Sequence, residues 1–230
     1  MFAVLLTLIF IRPFISSLAF PYINFIYSAL FLGFLAIWIT FKGINLKEIR
    51  LIRYPLLVFV LALAISFVFS NDITTSIKEL YKYASGILLL CISISLANKE
   101  KNRVILCITL AGVAISLLAI YQYCLGFSHL SNYVVKKSIG DPFILDYISR
   151  RRPFAPFVTP NALAGYLAMI LPLVLTQRNK LWFFIPISLA LLLTKSLGAL
   201  LSVLPGLTLY FYLRGNLKKK GILFLGGLLI

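Results

Sequence analysis

Uncharged apolar runs of about 20 residues alternate with short polar segments along almost the whole chain. A run of that length can form a helix that crosses a hydrocarbon core about 30 Å thick. The pattern predicts an all-α, polytopic helical membrane protein with about eight complete spans and the start of a ninth. The predicted spans are 2–20, 22–41, 54–70, 80–97, 104–125, 160–177, 181–194 and 197–213, followed by 221–230.

Local signals predict where several of these spans begin or end. Arg12-Pro13 should kink the first helix or end it early, because proline removes a backbone donor and clashes with the preceding turn. Thr159 is a good N-cap and Pro160 a favoured first helical residue, so the sixth span should begin there. The last run, 221–230, is too short to span as a helix, which predicts that the chain is incomplete at its C-terminus.

The composition agrees with a single transmembrane domain over residues 1–230. The chain is 61% hydrophobic and 12% charged, whereas a soluble domain is about 45–50% apolar and about 25% charged. The net charge of +16 would suggest a nucleic-acid partner in a soluble protein. In so apolar a chain it predicts instead basic loops that face an anionic leaflet, and no nucleic acid. The cysteines lie in apolar runs without metal-ligand spacing, which predicts neither a disulfide nor a metal site.

The distribution of Lys and Arg among alternate loops predicts the orientation. The more basic set of loops is 42–53, 98–103, 178–180 and 214–220. The positive-inside rule therefore places these loops and the N-terminus in the cytoplasm. Segment 126–159, on the opposite side, is the exception because it is long and also basic. Its aromatic and aliphatic side chains argue against disorder, and 144–149 is predicted to form a short interfacial helix within this long outer loop.

Three consecutive arginines, Arg150, Arg151 and Arg152, lie just before the predicted helix start on the outer side. Guanidinium groups stay charged and bind phosphate oxygens in bidentate fashion. The N-terminal amides and dipole of the sixth span also favour an anion, and Asn161 adds a side-chain amide in its first turn. The patch is therefore a predicted anion site. The alternative is an interfacial stretch that only anchors to lipid phosphates.

Other polar residues on the outer side are weaker candidates. Lys195 lies in the short turn between the seventh and eighth spans and could face the anion site, although snorkelling to the interface is the simpler explanation. His129 is expected to be a solvated surface residue. Asp141 and Asp146 are expected to balance the basic residues of their loop rather than act as bases. The sequence has no carboxylate pair, catalytic triad order, phosphate-binding loop or metal-ligand spacing, which predicts no cofactor.

Two segments resemble the signatures of a known family. RPFAPFVTPNALAGYLAMILPL (152–173) resembles that of the O-antigen ligase and O-antigen polymerase superfamily, in which an arginine and a turn precede Pro-Asn and a helix that begins with small residues. LLLTKSLGALLSVLPG (191–206) is similar to the superfamily's next signature. The chain departs from the pattern at Ala155-Pro156, where Gly-Thr is usual, and at Leu197, which replaces an arginine.

The resemblance implies a metal-independent membrane glycosyltransferase of the bacterial inner (cell) membrane. Such an enzyme moves a glycan from an undecaprenyl-pyrophosphate carrier onto lipid A-core, a growing glycan chain or a protein at the outer face. By its place in the motif, Arg152 would be the catalytic residue that holds the donor's pyrophosphate. Arg150, Arg151 and Asn161 would bind substrate, with Lys195 as a weaker candidate. The superfamily's later outer loop, with a functionally important histidine, would lie beyond residue 230, so these residues alone are expected to be inactive.

Two alternatives stay open at this point. A transporter or flippase of lipid-linked oligosaccharide would use the basic patch to recruit its cargo. It would also show a repeated half and charges at mid-membrane depth. An inactive truncated product would keep the first spans of the enzyme without its activity.

Overall fold

The computed structural model describes residues 1–15, 21–43, 50, 52–136, 141–177 and 179–213. These residues form helices joined by short turns, and no strand occurs among them. The helices are α1 (Phe2–Ile11), α2 (Pro21–Lys42), α3 (Arg53–Val68), α4 (Ile73–Ser95), α5 (Asn98–Tyr121), α6 (Phe127–Lys136), α7 (Pro142–Ser149), α8 (Pro160–Val174), α9 (Lys180–Leu193) and α10 (Leu197–Leu213). The all-α prediction is confirmed for this part of the chain. The predicted ninth span, 221–230, lies outside it, as do residues 16–20 of the first span and the basic loop 214–220.

The local signals for helix ends are confirmed at two places. Helix α1 stops at Ile11, and Arg12–Phe14 form a single 3₁₀ turn, as the Arg12-Pro13 pair predicts. Helix α8 begins at Pro160, and the hydroxyl of Thr159 accepts a hydrogen bond from the Ala162 amide at 3.2 Å. This cap satisfies one of the amides that have no partner within the helix.

Helices α4 and α5 both begin earlier than hydropathy predicts. Helix α4 starts at Ile73 because Asp72 caps it, with its carboxylate accepting from the Thr75 amide at 3.1 Å. Helix α5 starts at Asn98, so the basic segment 98–103 is its first turns. An apolar run marks the part of a helix that lies in an apolar environment, whereas capping residues and polar turns can extend the helix beyond it.

Segment 126–159 contains two helices rather than the predicted long loop with one short helix. The predicted helix at 144–149 is present within α7, which Asp141 caps by accepting from the Phe143 amide at 2.9 Å. The other helix, α6, continues from α5 through a π-helical turn at Gln122–Gly126. Its sequence is too polar to be recognised as an apolar run, although Phe127 and Val134 are buried on one face.

Two helical stretches of the described residues are long and apolar enough to cross a membrane. They are Pro21–Lys42, with 22 residues, and Asn98–Lys136, with 39 residues. The other apolar helices in this part of the chain have 10–17 residues.

Backbone contacts divide the chain into two compact units. The first comprises Met1–Leu8 and Phe20–Val104, and the second comprises Ile9–Ala19 and Ile105–Ile230. In the first unit α2 packs against α4, and α2 buries Phe31, Leu35 and Trp38. Helix α3 has no buried residue.

Helix α8 is the central helix of the second unit. It packs against α9 and α10, and its buried side chains include Leu163, Leu167 and Val174. Helix α5 also lies close to α8 in this unit, because a Cβ atom added to Gly112 on α5 would lie 3.0 Å from Cδ1 of Ile170 on α8. The position of α8 fixes its N-terminus, and with it the neighbourhood of the three arginines.

Candidate anion-binding site

The turn after α7 places the three arginines in three different environments. The Arg152 amide donates to the carbonyl of Tyr147 at 2.9 Å, and the Arg151 amide donates to that of Ile148 at 3.0 Å. These two bonds form a Schellman motif, which ends many helices. The motif requires a left-handed backbone conformation at the residue after the C-cap. Arg151 occupies that position with φ 48°. The chain therefore changes direction at Arg151, and a non-helical segment follows from Arg152.

Arg152 ties this turn to two other helices. Its Nε donates to the carbonyl oxygen of Thr194 at 2.9 Å, and its Nη2 donates to Oδ1 of Asn161 at 3.0 Å. Its guanidinium carbon lies 6.0 Å from the ring centroid of Tyr147. Because an arginine carries five N–H donors, these two bonds leave others available for an anion. Arg152 thus holds the turn in place and also contributes positive charge to it.

Lys195 forms a matching connection in the opposite direction. Thr194 is the C-cap residue of α9, and Lys195 follows it with a left-handed φ of 54°. The Nζ of Lys195 donates to the carbonyl oxygen of Arg150, the C-cap residue of α7, at 2.8 Å. The C-terminus of α9 therefore accepts a hydrogen bond from Arg152, which follows α7. The C-terminus of α7 accepts one from Lys195, which follows α9. Cations are favourable at such termini, where carbonyl groups lack partners within the helix.

The patch is strongly cationic because it has few acids. Nε of Arg150 pairs with Oδ1 of Asp146 at 2.7 Å, which is an exposed pair within one helix. Asp141 faces the amides at the start of α7. Arg151 is exposed, and its side chain has no hydrogen bond or ion pair with any residue that the structure describes. The positive end of α8 adds to this charge at Asn161. The arrangement suits a phosphate or pyrophosphate group.

Gln122 is a residue of this site that the sequence did not reveal. It is the first residue of the π-helical turn and is 8% exposed. Its Oε1 accepts hydrogen bonds from the amides of Phe154 and Ala155, both at 2.9 Å. A glutamine after an apolar span carries no local signal for a contact 32 residues further along the chain. Hydropathy does not predict the π turn either.

The structure brings the predicted site residues together in one patch. Arg150, Arg152, Asn161 and Lys195 are joined by direct hydrogen bonds or through the turn that carries Arg151. His129 lies exposed on α6 and has no hydrogen bond or ion pair within the described residues. Among those residues, no three His, Cys, Asp or Glu side chains are grouped so that they could hold a metal ion.

The chain matches no protein-family model, no curated protein and no solved structure.

Proposed function

We propose that the chain is a polytopic membrane glycosyltransferase of the O-antigen ligase or polymerase type. It would lie in the bacterial inner membrane with about eight spans and a cytoplasmic N-terminus. At the outer face it would transfer a glycan from an undecaprenyl-pyrophosphate carrier to a glycan, lipid or protein acceptor. The observation that carries this proposal is the position of Arg152, which is hydrogen bonded to Thr194 and Asn161 beside the N-terminus of α8.

The membrane location is supported by the apolar surface of the helices. Val68, Met169 and Trp182 are 76%, 71% and 81% exposed, and they lie on three different helices. In soluble proteins side chains of these types are buried far more often than this. Lipid chains could cover these side chains, because the backbone groups of a helix are largely hydrogen bonded to one another and need little water.

The proposed chemistry needs a fixed positive charge at the leaving group. An acceptor hydroxyl oxygen forms the new bond to the anomeric carbon of the glycan, and the hydroxyl proton passes to water. The bond from that carbon to the pyrophosphate oxygen breaks, and its electron pair remains on undecaprenyl pyrophosphate. The developing negative charge would be stabilised by Arg152 and the exposed Arg151. Groups that are already held in place by the protein do this without reorganisation during the reaction.

The site residues divide by function in this proposal. Arg151 and the remaining donors of Arg152 would contact the pyrophosphate. Asn161 and Lys195 would orient Arg152 and the turn, since both are already hydrogen bonded within the patch. Asp146 is paired with Arg150, which argues against its acting as the base that accepts the proton of the hydroxyl.

The test is glycan transfer by the full-length protein in liposomes that contain the undecaprenyl-pyrophosphate-linked glycan. Arg152→Ala should lower the transfer rate by about 100-fold or more, because a charge that stabilises the transition state is lost. Arg152→Lys should fall in between, since lysine keeps the charge but not the planar fork. Arg103→Ala is the matched control, because Arg103 is an exposed arginine in the first turns of α5, and it should transfer normally. Normal transfer by Arg152→Ala would disprove the role of Arg152.

A further inference from the structure

The non-helical segment after Arg152 is held on the protein by apolar anchors and by one amide side chain. Pro153 is fully buried, and the ring of Phe157 lies 5.3 Å from that of Tyr166. The backbone amides between these anchors belong to no helix. An amide group in such a partly buried turn needs an acceptor, because leaving it unpaired costs free energy. The side-chain oxygen of Gln122 accepts from two of them.

The surroundings of Gln122 fit a specific contact rather than a chance approach. The side chain is 8% exposed and lies at the start of the π-helical turn. Gly126, at the end of that turn, leaves room for it, since a Cβ atom there would lie 3.3 Å from Cγ of Gln122. Single π turns within helices occur often at functional sites.

We infer that Gln122 is a positioning residue for Arg152. Only Pro153 separates Arg152 from Phe154, the first residue whose amide Gln122 holds, so the amide contact limits how far the guanidinium can move. Arg152 is then fixed from two sides, by Gln122 through the backbone and by Thr194 and Asn161 through its side chain. This inference rests on the proposed function only for its meaning in catalysis, since the contact and its effect on anion binding can be measured without glycan transfer.

The test uses three variants of the full chain in lipid nanodiscs. Gln122→Leu keeps the approximate size but cannot accept, and Gln122→Glu keeps an acceptor oxygen at the same distance. Gln177→Leu is the matched control, because Gln177 lies in the turn after α8 and is partly exposed. Hydrogen exchange of the amides at 154 and 155 gives one readout, and binding of inorganic pyrophosphate gives the other.

Gln122→Leu should speed exchange at both amides by about tenfold or more and weaken pyrophosphate binding by about tenfold. Gln122→Glu should keep exchange at both amides near that of the unaltered protein, because its carboxylate still accepts from them, and Gln177→Leu should change neither value. Unchanged exchange in Gln122→Leu would overturn the contact. Faster exchange with unchanged pyrophosphate binding would overturn the positioning role. If Gln122→Leu does not fold, Gln122→Asn, which is one methylene shorter, is used to make the same comparison.

Failure of the proposed function gives a different result. The unaltered protein would then bind pyrophosphate and show the same exchange pattern, but it would not transfer a glycan from the undecaprenyl-pyrophosphate donor. Loss of pyrophosphate binding in the unaltered protein would overturn both the proposed function and the positioning role.

Discussion

At the scale of single residues, the backbone of Arg151 and Lys195 is as informative as their charge. Both adopt left-handed φ values, 48° and 54°. This conformation costs an L-residue about 1–2 kcal/mol, and helices that end in this way usually carry glycine there. Basic side chains at both positions therefore indicate that positive charge is kept at this patch at some cost in the free energy of folding. Backbone strain of this kind is common at functional sites.

Two substitutions at Arg151 should separate the charge from the backbone. Arg151→Gly and Arg151→Ala remove the same charge, but only glycine suits the left-handed φ. The free energy of unfolding in mixed micelles should therefore be about 1 kcal/mol higher for the glycine variant than for the alanine variant. Pyrophosphate binding should weaken equally in both.

Arg103 provides the control for this comparison because it lies within α5. Alanine is favoured over glycine by about 0.8–1 kcal/mol inside a helix, so the order of stability should reverse at this position. The same order at both positions would contradict the assigned conformation of Arg151.

Sequence alone predicted the residues of the site that carry a local signal. The arginine triplet and the Thr159 cap are visible because their neighbours along the chain define them. The bonds of Arg152 to Thr194, of Lys195 to Arg150 and of Gln122 to Phe154 join residues 42, 45 and 32 positions apart. Such contacts depend on how helices pack, which a single sequence does not specify.

At the scale of helices, α8 determines the geometry of the site because the second unit packs around it. Its buried face is built from small and branched residues, among them Ala164 and Ala168. Both alanines are buried in the core of this unit. Gly165, which follows Ala164, does not take part in this packing, since a Cβ atom there would meet nothing within 4 Å. Close packing in membranes uses such small residues in the same way.

Two glycines should respond in opposite ways to the same substitution. Gly112→Leu should lower the free energy of unfolding by about 1–3 kcal/mol, because the added side chain overpacks the contact of α5 with Ile170. Gly165→Leu should leave it unchanged or raise it by up to about 0.8 kcal/mol, since leucine is the better helix former and space is open at Gly165. Unfolding in mixed micelles measures both values. A stable Gly112→Leu protein would show that α5 and α8 do not approach closely here.

The helices that the sequence missed share a physical cause. An apolar run marks only the part of a helix that is suited to an apolar environment. A search for such runs does not find α6 or the first turns of α4, whose sequences are amphipathic or polar. Their start signals were present, since Asp72 caps α4, but a single acidic residue before a mixed sequence does not by itself specify a helix.

At the scale of the whole molecule, the proposed orientation depends on where the basic residues lie relative to the bilayer. Segment 98–103 at the start of α5 and the three arginines after α7 are both basic. The positive-inside rule assigns the first to the cytoplasm, and the proposed reaction needs the second at the outer face. These two requirements hold together only if the polypeptide crosses the membrane between Asn102 and Ser149.

Labelling of single cysteines tests this requirement directly. With Cys91, Cys107 and Cys124 replaced by alanine, Ser149→Cys at the end of α7 should react with a membrane-impermeant maleimide in intact spheroplasts. Asn102→Cys should react only after the membrane is opened, because cytoplasmic thiols are shielded from the reagent. Both positions are exposed in the structure, so access to the thiol depends on the membrane rather than on folding.

The outcome distinguishes the proposed topology from each alternative. Ser116→Cys, at a fully buried position on α5, should stay unlabelled under both conditions and so controls for loss of structure. Equal labelling of Asn102→Cys and Ser149→Cys in intact spheroplasts would place both on the outer face, and α5 would then not cross the membrane. Labelling of Asn102→Cys alone in intact spheroplasts would show that the protein has the opposite orientation in the membrane. In that case Arg152 would lie in the cytoplasm, where it could not stabilise a pyrophosphate leaving group at the outer face.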